Sequence, residues 1–140
     1  MSELSESDDV VVLLVGADDE ARLDQGLFVR LDLPRPLVSA SGAPYQTVLV
    51  GKTRQGYRAY ANQCRHQAIP LDARGGTSLG VMSEDKAHLL CDSHGALYEL
   101  TDGRCVSGPC EGTTLESMPV ARSGATVTLR IRRNRAARLT

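Results

Sequence analysis

Apolar and polar side chains alternate with period two over several short stretches of the chain. In LFVRLDLP (27–34), Leu27, Val29, Leu31 and Leu33 oppose Phe28, Arg30 and Asp32, which predicts a half-buried strand that Pro34 and Pro36 then break. In ATVTLRIRR (125–133), Val127, Leu129 and Ile131 face one way, and Thr126, Thr128, Arg130 and Arg132 the other. That strand pairs with LESMPVAR (115–122) around Ser123-Gly124. VVVLLVG (10–16) is a β-branched run closed by Gly16, and the acidic stretch to Asp24 has room for one helical turn. QTVLVGK (46–52) and GYRAYAN (56–62) form a hairpin across TRQ and Gly56. KAHLLC (86–91) and ALYEL (96–100) are two further strands, the second closed by Thr101-Asp102-Gly103. Residues 64–86 are turn-rich, and GRCVSGPCEG (103–112) reads as a loop with a Gly-Pro turn. Short strands at this spacing predict an all-β sandwich or barrel.

Composition sharpens this picture. At 140 residues the chain fits one domain. A domain of this size buries about 68–70% of its unfolded surface, so it needs no metal merely to fold. With no Trp and one Phe, the core must be mostly Val, Leu and Ala. The net charge of −1 exerts no general pull towards nucleic acid or membrane. It hides an asymmetry: eight acids against one Arg from Met1 to Asp24, and six Arg without an acid from Arg122 to Thr140. These ends are either two solvated termini or a docking patch. RIRRNRAAR has no interleaved aromatics, so it reads as a solvated strand end rather than a nucleic-acid tail. The longest apolar run, Val10 to Val15, is far short of the roughly 20 residues of a membrane span. The start MSELSESDD, acidic and polar, is unlike a signal peptide, so the expectation is a cytoplasmic protein with residues 1–9 disordered. In that compartment thiols stay reduced, and four Cys suggest a metal site or buried thiols before disulfides.

Two of those Cys stand beside histidines. CRHQAIP (64–70) holds Cys64-x-His66; after 24 intervening residues, CDSHGALYEL (91–100) holds Cys91-x-x-His94. Both halves lie in loops that follow a strand, so two loop tips can meet and present four ligands. A structural zinc site commonly groups its Cys on one turn and its His on a helix, and no helix is available here. A two-iron, two-sulfide cluster that gives both thiolates to one iron and both imidazoles to the other asks each loop for one of each. The symmetry of the motif matches the second chemistry.

With Gly-Ala and an aromatic after the second His, and SGP downstream, the pattern resembles the Rieske [2Fe–2S] family over roughly Leu27 to Arg132. The resemblance implies an antiparallel β-sandwich or barrel with a small cluster-binding subdomain at about 62–111, inside a single domain at 10–135 followed by a tail at 136–140. It implies one [2Fe–2S] cluster per chain, with Cys64 and Cys91 on the inner iron and His66 and His94 on the outer one. Pro109 would sit in the loop covering the cluster's remaining side. The spacer between the two halves is longer than the family's usual one, which places an excursion at about 72–86. Respiratory members carry an extra disulfide-forming Cys in each ligand loop. Those Cys are missing here, so the chain resembles the soluble ferredoxin branch.

The same comparison bears on redox tuning. High-potential members carry a Ser at the place of Ala96, whose hydroxyl bonds a bridging sulfide. Tyr98 matches the position whose phenol donates to a ligand thiolate. Donors to sulfur stabilise the more negative reduced state, so losing one of two points to the low half of the range of about −150 to +300 mV. Tyr98→Phe should lower the potential further.

Other reactive side chains read more plainly. Cys105 and Cys110 are expected to be small buried thiols behind the cluster rather than a redox disulfide. His88 shares a strand face with Leu90, away from Cys91, and reads as a strand histidine at or near the surface. Cys–His nucleophilic catalysis lacks an orienting third residue and an oxyanion site. With no Gly-x-Gly-x-x-Gly and no second His/Asp cluster, the chain reads as no self-contained oxygenase. The expected function is one-electron transfer by a non-enzymatic, monomeric carrier, from a reductase to an oxygenase or other redox enzyme, without nucleic acid or membrane. The alternatives are a Rieske subunit or regulatory module of a larger redox enzyme, and a zinc-stabilised binding module.

Overall fold

The computed structural model describes residues 8–65 and 68–132. Ten strands and one short helix make up these segments, and every strand pairing is antiparallel. β1 (Asp8–Leu14) pairs with β10 (Thr126–Arg132), which pairs with β9 (Val120–Ser123). β2 (Val29–Val38), β3 (Pro44–Thr53), β4 (Gly56–Ala61) and β8 (Ser117–Met118) form a second sheet in that order. β5 (His88–Cys91), β6 (Ala96–Glu99) and β7 (Cys105–Ser107) form the third. The fold is the expected all-β antiparallel architecture. β1 opens at Asp8, inside the stretch 1–9 expected to be disordered; residues 1–7, His66, Gln67 and 133–140 lie outside the described residues.

α1 (Ala17–Asp24) is a two-turn helix where a single turn was expected. Asp18, Asp19 and Glu20 in its first turn suit the positive end of the helix dipole. Leu23 is its one buried residue, so apolar packing alone holds it weakly. Arg122 of β9 supplies the mooring: its guanidinium lies 2.8 Å from Asp24 and 3.7 Å from Glu20, and donates to the Tyr57 hydroxyl at 2.9 Å. Among the described residues no helix is long and apolar enough to cross a membrane.

The alternation in the last strand holds, with Val127, Leu129 and Ile131 all buried. Two other expectations need correction. β2 runs through Pro34 and Pro36 to Val38 instead of ending at Pro34. It is an edge strand, where the missing N–H groups can face away from the sheet, and its register slips between Asp32 and Leu37. Phe28, expected to face outward with Arg30 and Asp32, is only 2% exposed.

Phe28 is buried because the molecule has two cores. One, built on Val29, Leu31, Val48, Val50, Val127 and Leu129, fills the space between the first two sheets. The other gathers Phe28, Leu49, Tyr60, Leu71, Leu89 and Tyr98 with all four cysteines beneath the third sheet. Successive residues of β3 and β4 point alternately into the two cores, with Val48 and Val50 in one and Leu49 in the other. Phe28 stacks on Tyr60 with ring centres 6.2 Å apart, and a Cβ at Gly51 would enter the Phe28 ring. The 72–86 excursion folds back onto this second core. It bridges Thr77 to Gly80 and Met82 to Leu89, buries Val81 and Met82, and presents the Met82 sulfur to the Phe28 N–H at 3.3 Å.

Candidate metal centre

The first candidate ligand loop leaves β4 through Asn62 and Gln63, both buried. It closes on itself: the Cys64 N–H donates to Ile69 O at 2.6 Å, and the Ala68 N–H donates to Cys64 O at 2.7 Å. Ala68 turns the chain with a left-handed φ of 57°. Cys64 is buried, Arg65 is exposed, and His66 lies outside the described residues. The second loop is the hairpin turn between β5 and β6, whose register pairs Cys91 with Ala96. Gly95, with φ of 77°, makes that turn possible, and its N–H donates to Cys91 O at 2.9 Å. Cys91 is buried at the base and His94 is exposed at the tip.

The two loops meet through their sulfurs. Contact with the Cys64 thiol, and then burial, push the Cys91 thiol above its ordinary value. Tyr98 stands behind this pair. Its hydroxyl oxygen accepts the Arg65 N–H at 3.1 Å and lies 3.5 Å from Cys64 Sγ. The hydroxyl donates to Cys110 Sγ at 3.1 Å, and Cys110 Sγ is itself 3.8 Å from Cys64 Sγ. Burial, followed by the contacts with Cys110 and Cys64, raises the phenol's pKa. Cys105 and Cys110 are free, buried thiols, as expected.

The SGPC segment folds over Ala96. A Cβ on Gly108 would stand 2.7 Å from Ala96 Cα, so only glycine permits this approach. Pro109 is exposed on that loop, and Ala96 is buried beneath it. Three residues of this loop, Cys105–Ser107, form β7 by pairing with β6, where the sequence suggested loop throughout. His88 faces Glu99 across the β5–β6 pair at 3.7 Å, on the strand face opposite Leu89 and Cys91.

The loops are also tied by groups that the motif gives no hint of. Asn62 Oδ1 accepts the Leu71 N–H at 2.8 Å, and Leu71 O accepts the Asp92 N–H at 2.8 Å. Asp92 then takes the backbone N–H of Arg74 at 3.1 Å and of Gly76 at 2.7 Å. Asp72 accepts from Asn62 at 3.2 Å and Arg30 at 3.0 Å. Residues 71–76 therefore lace the root of the first loop to the second. Nothing in the local spacing signals this, because the partners lie far apart in sequence.

Two thiols, one from each loop, lie buried in one core, with an imidazole exposed at the tip of the second loop. This soft sulfur pair with imidazole suits an iron–sulfur cluster. The Rieske [2Fe-2S] domain family profile matches residues 31–122. No curated protein matches the chain. Among solved structures, the terminal oxygenase of carbazole 1,9a-dioxygenase from Novosphingobium sp. KA1 matches with a TM-score of 0.54 and 21% identity, covering 90% of this chain and 30% of that one. The corresponding oxygenase from Nocardioides aromaticivorans IC177 gives 0.54 and 21%, covering 91% and 31%. The ferredoxin of that system from Nocardioides aromaticivorans IC177 gives 0.52 and 20%, covering 85% of this chain and 96% of that one. The chain thus spans under a third of the length of the two oxygenases, and at these identities the likeness is one of fold.

Proposed function

The chain belongs to the Rieske [2Fe–2S] domain family, and on that premise we propose that it is a one-electron carrier delivering electrons to an oxygenase or other redox enzyme. The observation that carries this reading is the burial of Cys64 and Cys91, one from each ligand loop, in the same core, with His94 exposed at the tip of the second loop. Cys64 and Cys91 would hold one iron of the cluster, and His66 and His94 the other. When bound, the cluster takes up and gives back a single electron. Burial of the two cysteines keeps water from the thiolates, while the exposed His94 lets a partner approach the imidazole edge. Tyr98, Ala96 and the Pro109 loop enclose the sulfur side. The cluster-binding part occupies about 62–111 of a single domain that includes β1 from Asp8.

Oxygenase and ferredoxin components of carbazole dioxygenase share the fold, which supports an oxygenase as acceptor; a reductase as donor belongs to the same proposal. A cytoplasmic setting, where the thiols stay reduced, belongs to the same reading. The match to terminal oxygenases also favours a second reading, a Rieske module inside a larger redox enzyme.

Anaerobic reconstitution tests the centre. The expected product is red-brown, binds two irons and two sulfides per chain, and shows the reduced-state EPR spectrum of a mixed thiolate–imidazole centre. Cys64→Ala and His94→Ala should each abolish that spectrum. A colourless, zinc-loaded protein overturns the reading. Reduction by a ferredoxin reductase and reoxidation by an oxygenase, both with the isolated chain, distinguish a carrier from a module.

A further inference from the structure

The Tyr98 hydroxyl has one hydrogen, and two sulfurs compete for it. Its oxygen already accepts the Arg65 N–H at 3.1 Å. The shorter contact is to Cys110 Sγ at 3.1 Å, against 3.5 Å to Cys64 Sγ, so Cys110 receives the hydrogen. Having accepted from Tyr98, the Cys110 thiol retains its own S–H, and Cys64 Sγ lies 3.8 Å away.

Cys110 is held in place by its backbone. The Thr113 N–H donates to Cys110 O at 2.9 Å and the Thr113 hydroxyl does so at 2.6 Å. The Glu111 N–H closes a turn onto Gly108 O at 3.1 Å, and the Gly112 N–H reaches Cys105 O at 3.2 Å. Gly108 is seated against Ala96, so the turn cannot slide along β6. The thiol therefore starts from a fixed point, and its 4% exposure leaves little water to take over its hydrogen bonds.

We propose that Cys110 is a positioning residue that relays the Tyr98 hydroxyl onto Cys64, in the directed chain Arg65 N–H to Tyr98 O–H to Cys110 S–H to Cys64 Sγ. The proposal rests on Cys64 being a cluster ligand. In such a chain each bond polarises the next, so the last donor gives more to the sulfur than an isolated thiol would. Donation to a ligand sulfur favours the reduced state, in which that sulfur carries more charge. Tyr98 thus acts on Cys64 largely through Cys110.

EPR-monitored redox titration of the reconstituted protein tests this, comparing wild type with Cys110→Ala, Cys110→Val, Cys110→Ser, Tyr98→Phe and the double variant Tyr98→Phe/Cys110→Val. Valine fills the thiol's place without a donor, so the test survives if the alanine variant does not fold. The expected result is a lower midpoint potential for the Ala and Val variants, with Ser retaining most of the wild-type value. Tyr98→Phe should lower the potential less in the Val background than alone. A Val variant at or above the wild-type potential overturns the relay, as does a Tyr98→Phe shift of equal size in both backgrounds. A wild-type protein without the Rieske spectrum instead overturns the ligand assignment on which the relay depends.

Discussion

The Asp92 carboxylate accepts the Gly76 N–H at 2.7 Å, across sixteen residues, and fastens the loop carrying Cys91 and His94 to the start of the excursion. The same carboxylate takes the Arg74 N–H with both oxygens at 3.1 Å. Asp92→Ala should leave these amides without their partner and cost about 1–3 kcal/mol, whereas Asp92→Asn keeps an acceptor and should cost about 0.5–1.5 kcal/mol. Urea titration of the two variants measures the difference. In the reconstituted protein, Asp92→Ala should also release iron to a chelator faster, because the second loop loses its brace before any ligand is touched.

Tyr60 joins the hairpin of β3 and β4 to the segment after β6 by donating to Leu100 O at 2.7 Å. Burial holds its pKa well above the ordinary 10.0, with Asp102 adding a smaller upward push and Arg58 a downward one. The unfolded chain releases this proton near pH 10, while the folded chain keeps it. The resulting stability is fully present below about pH 10 and is lost as the pH rises further. Tyr60→Phe should lower stability by about 1 kcal/mol at neutral pH through the lost bond. It should also flatten the decline above about pH 10. Denaturant midpoints collected across the alkaline range for both proteins test the sign.

Gly108→Ala should disturb the centre without altering any ligand. The residue sits at φ of 102°, and a Cβ there would press on Ala96 Cα at 2.7 Å. The backbone conformation alone should cost about 1–3 kcal/mol, with the clash added to it. The loop must lift off β6 to relieve the contact, carrying Cys110 away from Tyr98. Chemical denaturation and the EPR line shape of the reduced protein should therefore both change. An altered stability with an unaltered line shape would mean that the loop does not reach the centre.

Much of this was legible in the residues themselves. The alternation of Val127, Leu129 and Ile131, the β3–β4 hairpin and the two Cys–His loops are local patterns, and local patterns survive folding. Pro34 and Pro36 misled because a proline's effect depends on whether its strand is an inner or an edge one, which only the sheet order reveals. Phe28 misled because period two assigns a face but cannot say that both faces are covered. β7 is three residues long, too short to display a period. The roles of Asn62 and Asp92, and the partners of Cys110, were hidden for another reason: they are brought near by the excursion and the Gly-Pro turn, whose paths carry no repeat.

β3 and β4 serve as a party wall between two rooms furnished separately. Val48, Val50, Ala59 and Ala61 belong to one side, and Leu49 and Tyr60 to the other. A change to one set falls in the core between the first two sheets, and a change to the other in the core that holds the cysteines. Substitutions at alternate residues of these strands therefore fall in different cores while the pairing of the strands is kept. Redesign of the redox end can proceed on every second residue of this hairpin and leave the rest as it stands.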